Sequence, residues 1–127
     1  MIILDTDVLI EIFDKRSVKG DEAMRRITDS GEDIATTSIN IHEILYGLQK
    51  YVKPFREFLL LHVLDYTKRD AELSAEIELK AEGMGTPIRR TDAMIAAIAL
   101  NRRASLYTFD LRHFSPLKTL GLKLFSE

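Results

Sequence analysis

The first thirteen residues constrain the fold more than any other part of the chain. An unbroken apolar run, Ile2 to Leu4, stops at the carboxylate of Asp5. Such a run predicts a strand buried on both faces of a parallel sheet, with Asp5 at the carboxyl edge of that sheet. The next residues predict a helix that starts at Thr6 or Asp7 as its cap and packs back onto the sheet through Val8, Leu9, Ile12 and Phe13. We therefore expect Asp5 at the edge where open α/β sheets bind ligands.

Strands and helices alternate along the rest of the chain. Short β-branched or apolar runs predict further strands over residues 34–38, 62–66, 105–108 and 122–125. Helical periodicity, or composition where the period is ambiguous, predicts helices over residues 20–30, 40–51, 54–61, 71–81 and 91–100. This alternation predicts an α/β fold, a three-layer α/β/α sandwich around a central, mainly parallel sheet of four or five strands.

Composition narrows the functional classes. A chain of 127 residues is the length of one domain, which we predict to span residues 1–127. The absence of cysteine excludes disulfides, zinc–thiolate sites and thiol nucleophiles. The longest apolar run, 93–100, is far below the roughly 18 residues that span a membrane, and no signal peptide is evident, so we expect a cytoplasmic protein. The net charge of −2 neither supports nor excludes a nucleic-acid substrate.

Three further acids stand in positions comparable to that of Asp5. Glu43 follows the second predicted strand, Asp92 lies in the first turn of a buried helix, and Asp110 follows the fourth strand. Each also has a structural explanation. Glu43 and Asn40 have the spacing of a capping box, and Asp92, beside Thr91 as an alternative cap, favours the helix dipole. A lone Asp after a strand is commonly a turn residue.

Together, the four acids predict a metal site. Right-handed β-α-β connections bring all such positions to one edge of a parallel sheet. Carboxylates that converge there repel one another unless a cation neutralises them. Oxygen ligands without histidine or cysteine favour Mg²⁺ or Mn²⁺, and such an ion promotes phosphoryl hydrolysis.

The contexts of these acids resemble those of a known family. They are Ile-Leu-Asp-Thr-Asp-Val-Leu-Ile around Asp5, Ile-His-Glu-Ile-Leu-Tyr-Gly-Leu around Glu43, Thr-Asp-Ala-Met-Ile-Ala-Ala-Ile-Ala around Asp92 and Tyr-Thr-Phe-Asp-Leu-Arg-His-Phe around Asp110. The four motifs, in this order and over essentially the whole chain, resemble the acidic motifs of PIN-domain ribonucleases. Length and spacing are similar to VapC-type toxins of toxin-antitoxin pairs.

The resemblance implies a Mg²⁺- or Mn²⁺-dependent endoribonuclease. In this family pattern Asp5, Glu43, Asp92 and Asp110 bind the metal, and hydrolysis of RNA leaves a 5′-phosphate and a 3′-hydroxyl. Thr6 and Thr108 would hold Asp5 and Asp110 in place.

The family pattern also bears on binding. Asp7 would be a supporting residue and not a ligand. Arg89 and Arg90 would bind RNA phosphate or remain solvated loop charges, and Phe109 stands where relatives often carry a polar residue. None of His42, His62 and His113 is assigned a catalytic role.

The resemblance further implies a homodimer and a VapB-like antitoxin that fills the active-site groove. Apolar residues around the third and fourth predicted helices permit such contacts, although core packing explains them equally well: Tyr46, Leu48, Tyr51, Phe55, Phe58 and Leu59.

Two other functions are compatible with parts of the pattern. Asp5-Thr6-Asp7 after a strand also resembles the opening motif of haloacid-dehalogenase-type phosphotransferases, in which the first Asp is a covalent nucleophile. That reading leaves Glu43 without a role. A non-catalytic module that binds RNA or protein is the other alternative, but it has no reason to retain a repulsive cluster of four acids.

Overall fold

A parallel sheet of five strands forms the centre of the computed structural model, which describes residues 1–51, 53 and 56–125. The strands are β1 (Ile2–Leu4), β2 (Ile34–Thr37), β3 (His62–Leu64), β4 (Ser105–Tyr107) and β5 (Lys123–Leu124), in the order β3-β2-β1-β4-β5. The first strand is central, and its Ile3 is in register with Ala35 on one side and Leu106 on the other. The predicted sheet is confirmed, and every pairing in it is parallel.

Helices connect the strands and cover both faces of the sheet. They are α1 (Thr6–Leu9), α2 (Val18–Ser30), α3 (Ser38–Tyr51), α4 (Lys68–Gly83), α5 (Arg90–Asn101) and α6 (Leu111–Phe114). The first continues directly into a π-helical segment, Ile10–Lys15. Two further segments, Glu57–Leu60 and Ser115–Leu120, are 3₁₀-helical. Of the helix predicted over 54–61, Pro54 and Phe55 lie outside the described residues.

The alternation of side chains along the strands creates two cores. Ile3 faces the layer formed by α4, α5 and the C-terminal segment, where Phe114 and Leu117 are also buried. Ile2 and Leu4 face the opposite layer of α1, α2 and α3. Because neighbouring residues of β1 enter different cores, the strand is apolar throughout, and the predicted three-layer sandwich is confirmed.

The two helices between β3 and β4, α4 and α5, differ in burial. Residues 95–99 of α5 are completely buried, as expected for a helix that is apolar on every side. Residues 71–81 form a helix and not a strand, as predicted. Its apolar side chains are covered unequally, since Ile77 is buried whereas Leu79 is 69% exposed.

The residues expected to support dimerisation divide into two groups. Leu48 and Phe58 belong to the core, while Tyr46, Tyr51 and Leu59 are exposed. Phe55 lies outside the described residues. Among the helices that the structure describes, none is long and apolar enough to cross a membrane.

Candidate active site

Asp5 lies between the end of β1 and the start of α1. Its backbone is extended, and its Oδ1 accepts a hydrogen bond of 2.9 Å from the Thr6 N–H. Asp5 is therefore the N-cap of α1, and the expectation that Thr6 or Asp7 caps this helix was wrong. The Asp5 N–H donates to the Tyr107 carbonyl at 2.9 Å, which fixes the residue against β4. Asp5 thus lies at the carboxyl ends of β1 and the neighbouring β4.

The Asp5 carboxylate is buried and held by several donors. It is only 7% exposed, and its Oδ1 accepts from the Asn40 side-chain amide at 2.9 Å while its Oδ2 accepts from the Thr108 hydroxyl at 2.8 Å. Burial and the neighbouring charge of Asp7 raise the pKa of Asp5 from 3.8 to about 7, against the opposing effect of the hydrogen bonds from Thr108 and Thr6. The free-energy cost of burying the charged carboxylate of Asp5 therefore exceeds the stabilisation that its hydrogen-bond donors provide.

Glu43 is drawn into the same network. Thr6 Oγ1 donates to Glu43 Oε1 at 2.9 Å and accepts from the Asn40 amide at the same distance. The capping box considered for Asn40 and Glu43 does not form, because α3 begins at Ser38 and the Asn40 N–H donates to Thr37 Oγ1 at 3.2 Å. The carboxylate of Glu43 is thus turned toward the sheet edge and connected to Asp5 through Thr6 and Asn40.

Asp92 and Asp110 both lie close to the guanidinium of Arg89. Asp92 is 3% exposed and accepts a 2.9 Å hydrogen bond from Arg89 Nε. A second nitrogen of the same guanidinium lies 3.7 Å from Asp110 Oδ2. Burial raises the pKa of Asp92, while the hydrogen bond and charge of Arg89 oppose that shift. Arg90 points elsewhere, since its Nε pairs with Glu78 of α4 at 3.2 Å.

Two helices begin in this region, and the start of α5 differs from expectation. Helix α5 begins at Arg90 after an N-cap, Arg89, whose side chain makes no capping hydrogen bond, so Thr91 is not the cap. Asp110 is the N-cap of α6, and its carboxylate accepts from the His113 N–H at 3.4 Å.

Thr6 and Thr108 both contact the acidic cluster, though with partners other than those anticipated. The hydroxyl of Thr6 reaches Glu43, and only its backbone N–H bonds Asp5. The hydroxyl of Thr108 reaches Asp5 and also accepts from the Asp110 N–H at 3.0 Å. Thr108 consequently ties the end of β1 to the turn that carries Asp110.

Asp7 contributes a fifth carboxylate. Its Oδ2 accepts from the Phe109 N–H at 3.1 Å, and burial raises its pKa. Its Oδ1 is buried and has no hydrogen-bond partner among the residues that the structure describes. A buried acceptor without a donor is costly, so this oxygen is suited to an additional cation or hydrogen-bond donor.

The donor chemistry of the site fits a hard divalent cation. The available atoms are carboxylate oxygens, several of them buried, and Arg89 already places positive charge between Asp92 and Asp110. Within the described part of the chain, no three acidic or histidine side chains lie close enough to form a ready-made metal cluster. Binding a metal ion would therefore require these side chains to draw together.

Two contacts of the site were not anticipated from the sequence. Asn40 is completely buried and bonds Thr37, Thr6 and Asp5; its position soon after a strand end was the only available indication. His113, assigned no role, lies with Nδ1 2.8 Å from both oxygens of Asp110. The spacing of three residues between Asp110 and His113 is the signal that could have indicated this pair.

Two grooves flank the acidic cluster. One has a volume of about 370 Å³ and is lined by Asp7, Asp110, Lys19 and Phe109, among other residues. The other has a volume of about 230 Å³ and is mainly apolar, running from Glu43 along one side of α3. Gly47 leaves open space beside this groove, since a Cβ at that position would meet nothing within 4 Å.

Comparison with known proteins agrees with this architecture. The family model described as PIN domain matches residues 2–118. The chain is 26% identical over 119 residues to ribonuclease VapC2 of Haemophilus influenzae, which covers 88% of each chain. It is 30% identical over 94 residues to the tRNA(fMet)-specific endonuclease VapC of Salmonella typhimurium, covering 68% of this chain and 71% of that one.

Solved structures share the fold. The VapBC2 structure from Rickettsia felis, bound to a DNA fragment from its promoter, superposes with a TM-score of 0.80 at 23% identity and covers 98% of this chain and 97% of that chain. The DNA-bound VapBC structure from Salmonella typhimurium gives a TM-score of 0.78 at 26% identity and covers 97% and 95%. From the family match and these relatives together, the chain belongs to the PIN-domain family and resembles its VapC-type toxin ribonucleases.

Proposed function

We propose that the chain is a Mg²⁺- or Mn²⁺-dependent endoribonuclease, acting as the toxin of a toxin-antitoxin pair. The observation that carries this proposal is the network that links Asp5, Glu43 and Asp110 through Thr6, Asn40 and Thr108, at the sheet edge where Asp92 also lies. Relatives named as ribonucleases and as a transfer-RNA endonuclease support RNA as the substrate class.

In this proposal the four acids Asp5, Glu43, Asp92 and Asp110 hold the metal. The chemistry that such an ion supplies is a lowered pKa for a water molecule and stabilisation of charge on a phosphoryl oxygen. The carboxylates are all partly or fully shielded from bulk water, which strengthens their interaction with any cation. Hydrolysis would leave a 5′-phosphate and a 3′-hydroxyl, without a covalent intermediate on the protein.

The surrounding residues of the chain keep these acids in place. Asn40 and Thr108 each donate to a different oxygen of Asp5, which fixes the orientation of its carboxylate. The Thr6 hydroxyl orients Glu43. Arg89 neutralises Asp92 and Asp110 when no metal is present, and its exposed guanidinium is long enough to turn outward.

We also propose a VapB-like antitoxin partner and a homodimer. Similarity to solved VapBC structures supports the partner, and the apolar groove beside Glu43 is suited to a side chain from it. Exposed Tyr46 and Tyr51 of α3 are suited to a protein interface. Light scattering during size-exclusion chromatography tests the dimer, which should have twice the chain mass of 14.5 kDa. A particle of single-chain mass across the concentration range would contradict it.

The decisive experiment for the enzyme is RNA cleavage by the purified chain. A panel of structured and single-stranded RNAs is incubated with Mg²⁺, Mn²⁺ or EDTA, with wild type beside Asp5→Asn. Asp29→Asn, an exposed carboxylate at the end of α2, is the matched control. We expect metal-dependent cutting by wild type and the control, and none by Asp5→Asn. RNA binding without cutting, insensitive to metal and to Asp5→Asn, would instead favour the non-catalytic module.

A further inference from the structure

Lys19 is an exposed cation beside the site, and its charge acts on Asp7 without forming an ion pair with it. It lies in the first turn of α2, and its Nζ is 4.0 Å from the centre of the Phe109 ring. Among the described residues, no carboxylate forms an ion pair with it. The neighbouring Lys15 differs, because its ammonium lies 3.7 Å from Glu11. Lys19 therefore keeps its charge and its N–H donors available to a ligand.

The ring beneath Lys19 is fixed to the site. Phe109 lies between Thr108 and Asp110, and its N–H donates to Asp7 Oδ2 at 3.1 Å. Its ring packs edge-on against Tyr107, with centroids 5.7 Å apart and an interplanar angle of 74°. The face of an aromatic ring attracts a cation without neutralising it, so Phe109 holds the ammonium in place and leaves it charged.

The backbone of Lys19 is equally constrained. Ser17 caps α2 by accepting a 3.0 Å hydrogen bond from the Gly20 N–H. Gly20 is buried against the preceding π-helical segment, and a Cβ at Gly20 would overlap the Glu11 carbonyl oxygen. This close contact fixes the first turn of α2, and with it the direction from which Lys19 reaches Phe109.

Lys19 and the acids share one cavity. The groove of about 370 Å³ is lined by the carboxylates of Asp7, Glu11 and Asp110 together with Lys15, Lys19 and Phe109. A ligand that fits this arrangement carries one group for the carboxylates, through a bound cation, and a second anionic group for Lys19. An RNA backbone has this chemistry, because successive phosphates repeat along it.

The two arginines considered for RNA binding already pair with carboxylates. Arg89 pairs with Asp92 at 2.9 Å, and Arg90 pairs with Glu78 of α4 at 3.2 Å. A phosphate bound by either guanidinium would compete with the charge of its carboxylate partner, whereas Lys19 has no ion pair of this kind among the described residues.

We infer that Lys19, positioned on Phe109, binds a backbone phosphate of the RNA next to the phosphodiester held at the carboxylates. This inference rests on the proposed function only in taking RNA as the substrate. Phe109 is a positioning residue that acts through Lys19, and the pair forms a phosphate subsite in the same groove as Asp7 and Asp110.

RNA binding in the presence of Mg²⁺ tests the subsite separately from cleavage. Fluorescence anisotropy with a labelled single-stranded RNA is measured in the Asp5→Asn background over a series of salt concentrations. Lys19→Gln is compared with the control variant Lys123→Gln. Lys123 is exposed and in register with Ser105 at the amino end of β4, whereas the candidate site lies at the carboxyl ends of the strands. Lys19→Arg is the charge-conserving variant.

We expect Lys19→Gln to weaken RNA binding about three- to tenfold at low salt. It should also lower the slope of log K against log salt by about 0.7, the value for one lost phosphate contact on a single strand. Lys123→Gln should change neither quantity, and Lys19→Arg should restore the slope. Phe109→Leu should weaken binding with little change in slope, because the charge remains but is no longer positioned.

The outcomes separate this inference from the proposed function. If Lys19→Gln retains the affinity and slope of Lys123→Gln while the wild-type chain cuts RNA, the subsite is refuted and the nuclease stands. If the wild-type chain does not cut but Lys19→Gln loses one phosphate contact, the nuclease fails and the subsite stands. Absence of RNA binding in the parent protein would overturn the subsite.

Discussion

Replacing Asp5 by Asn should stabilise the metal-free protein at neutral pH, although it removes an acid from the active site. The amide has nearly the same shape, and its oxygen can accept from Thr6 and Asn40 as Asp5 Oδ1 does. Its NH₂ group can donate to Thr108 Oγ1, because a hydroxyl rotates to accept or donate. The principal change is therefore the loss of a buried negative charge.

The magnitude follows from the pKa of Asp5. Burial raises that pKa from 3.8 to about 7, and each unit corresponds to about 1.4 kcal/mol of free energy. Ionising Asp5 at pH 7.5 thus costs the folded state at most about 4 kcal/mol, and about 2–4 kcal/mol is a reasonable range once the loss of charge-assisted hydrogen bonds is included. Because the folded pKa is the higher one, wild-type stability falls as pH rises from about 4 to about 7. The advantage of Asp5→Asn should be absent near pH 4 and complete above pH 7.

Urea unfolding followed by circular dichroism, in EDTA at several pH values, measures this difference. Asp29→Asn is the matched control, because the Asp29 side chain is 67% exposed and its replacement removes only a surface ion pair. Its free energy of unfolding should stay within about 0.5 kcal/mol of wild type. A less stable Asp5→Asn protein at pH 7.5, or a difference that does not vary with pH, would refute the assignment of a strained, buried charge to Asp5.

Three other outcomes are expected. Addition of Mn²⁺ or Mg²⁺ should raise the melting temperature of wild type, reversibly with EDTA, and should add about 2.7 kcal/mol to its free energy of unfolding at one hundred times Kd. Asp5→Asn should be almost unchanged; equal stabilisation of both proteins would exclude Asp5 as a ligand. Arg89→Gln should bind Mn²⁺ several-fold more tightly in isothermal titration calorimetry, because its guanidinium pairs with two of the carboxylates, whereas Arg90→Gln should match wild type; unchanged or weaker binding by Arg89→Gln would contradict competition between the two cations. Gly20→Ala should cost about 2–3 kcal/mol of stability in urea unfolding, since its Cβ would overlap backbone, and Gly83→Ala, where a Cβ meets nothing within 4 Å, should be neutral or slightly stabilising; equal effects would argue against the close helix contact.

The layer architecture was determined by local sequence pattern. Ile2 to Leu4 predicted a doubly buried strand, and the uniform apolarity of residues 93–100 predicted a buried helix; both are confirmed. These features are readable because burial on both faces forces every position of an element to be apolar. The expectation that four acids reach one edge likewise followed from the handedness of β-α-β connections, which does not depend on individual side chains.

The local sequence pattern predicted structure less reliably where a residue was compatible with two different environments. Asn40 and Glu43 have the spacing of a capping box, and only the start of α3 at Ser38 excludes it. Leu79 of α4 is apolar but faces solvent, because none of the described elements covers it. In each case the choice depends on neighbours that are distant in the sequence.

The sequence by itself determined the strands, the helices and which acids reach the sheet edge, because these depend on periodicity and chain direction. Only the tertiary structure decided the partners of those acids. The hydrogen bond from Thr108 to Asp5 spans 103 residues, and that from Thr6 to Glu43 spans 37. The tertiary structure also decides that Arg89 pairs with Asp92 of the site while Arg90 pairs with Glu78 of α4. Such choices depend on burial and on distances between separate elements, and adjacent residues of identical type carry no sequence signal that distinguishes them.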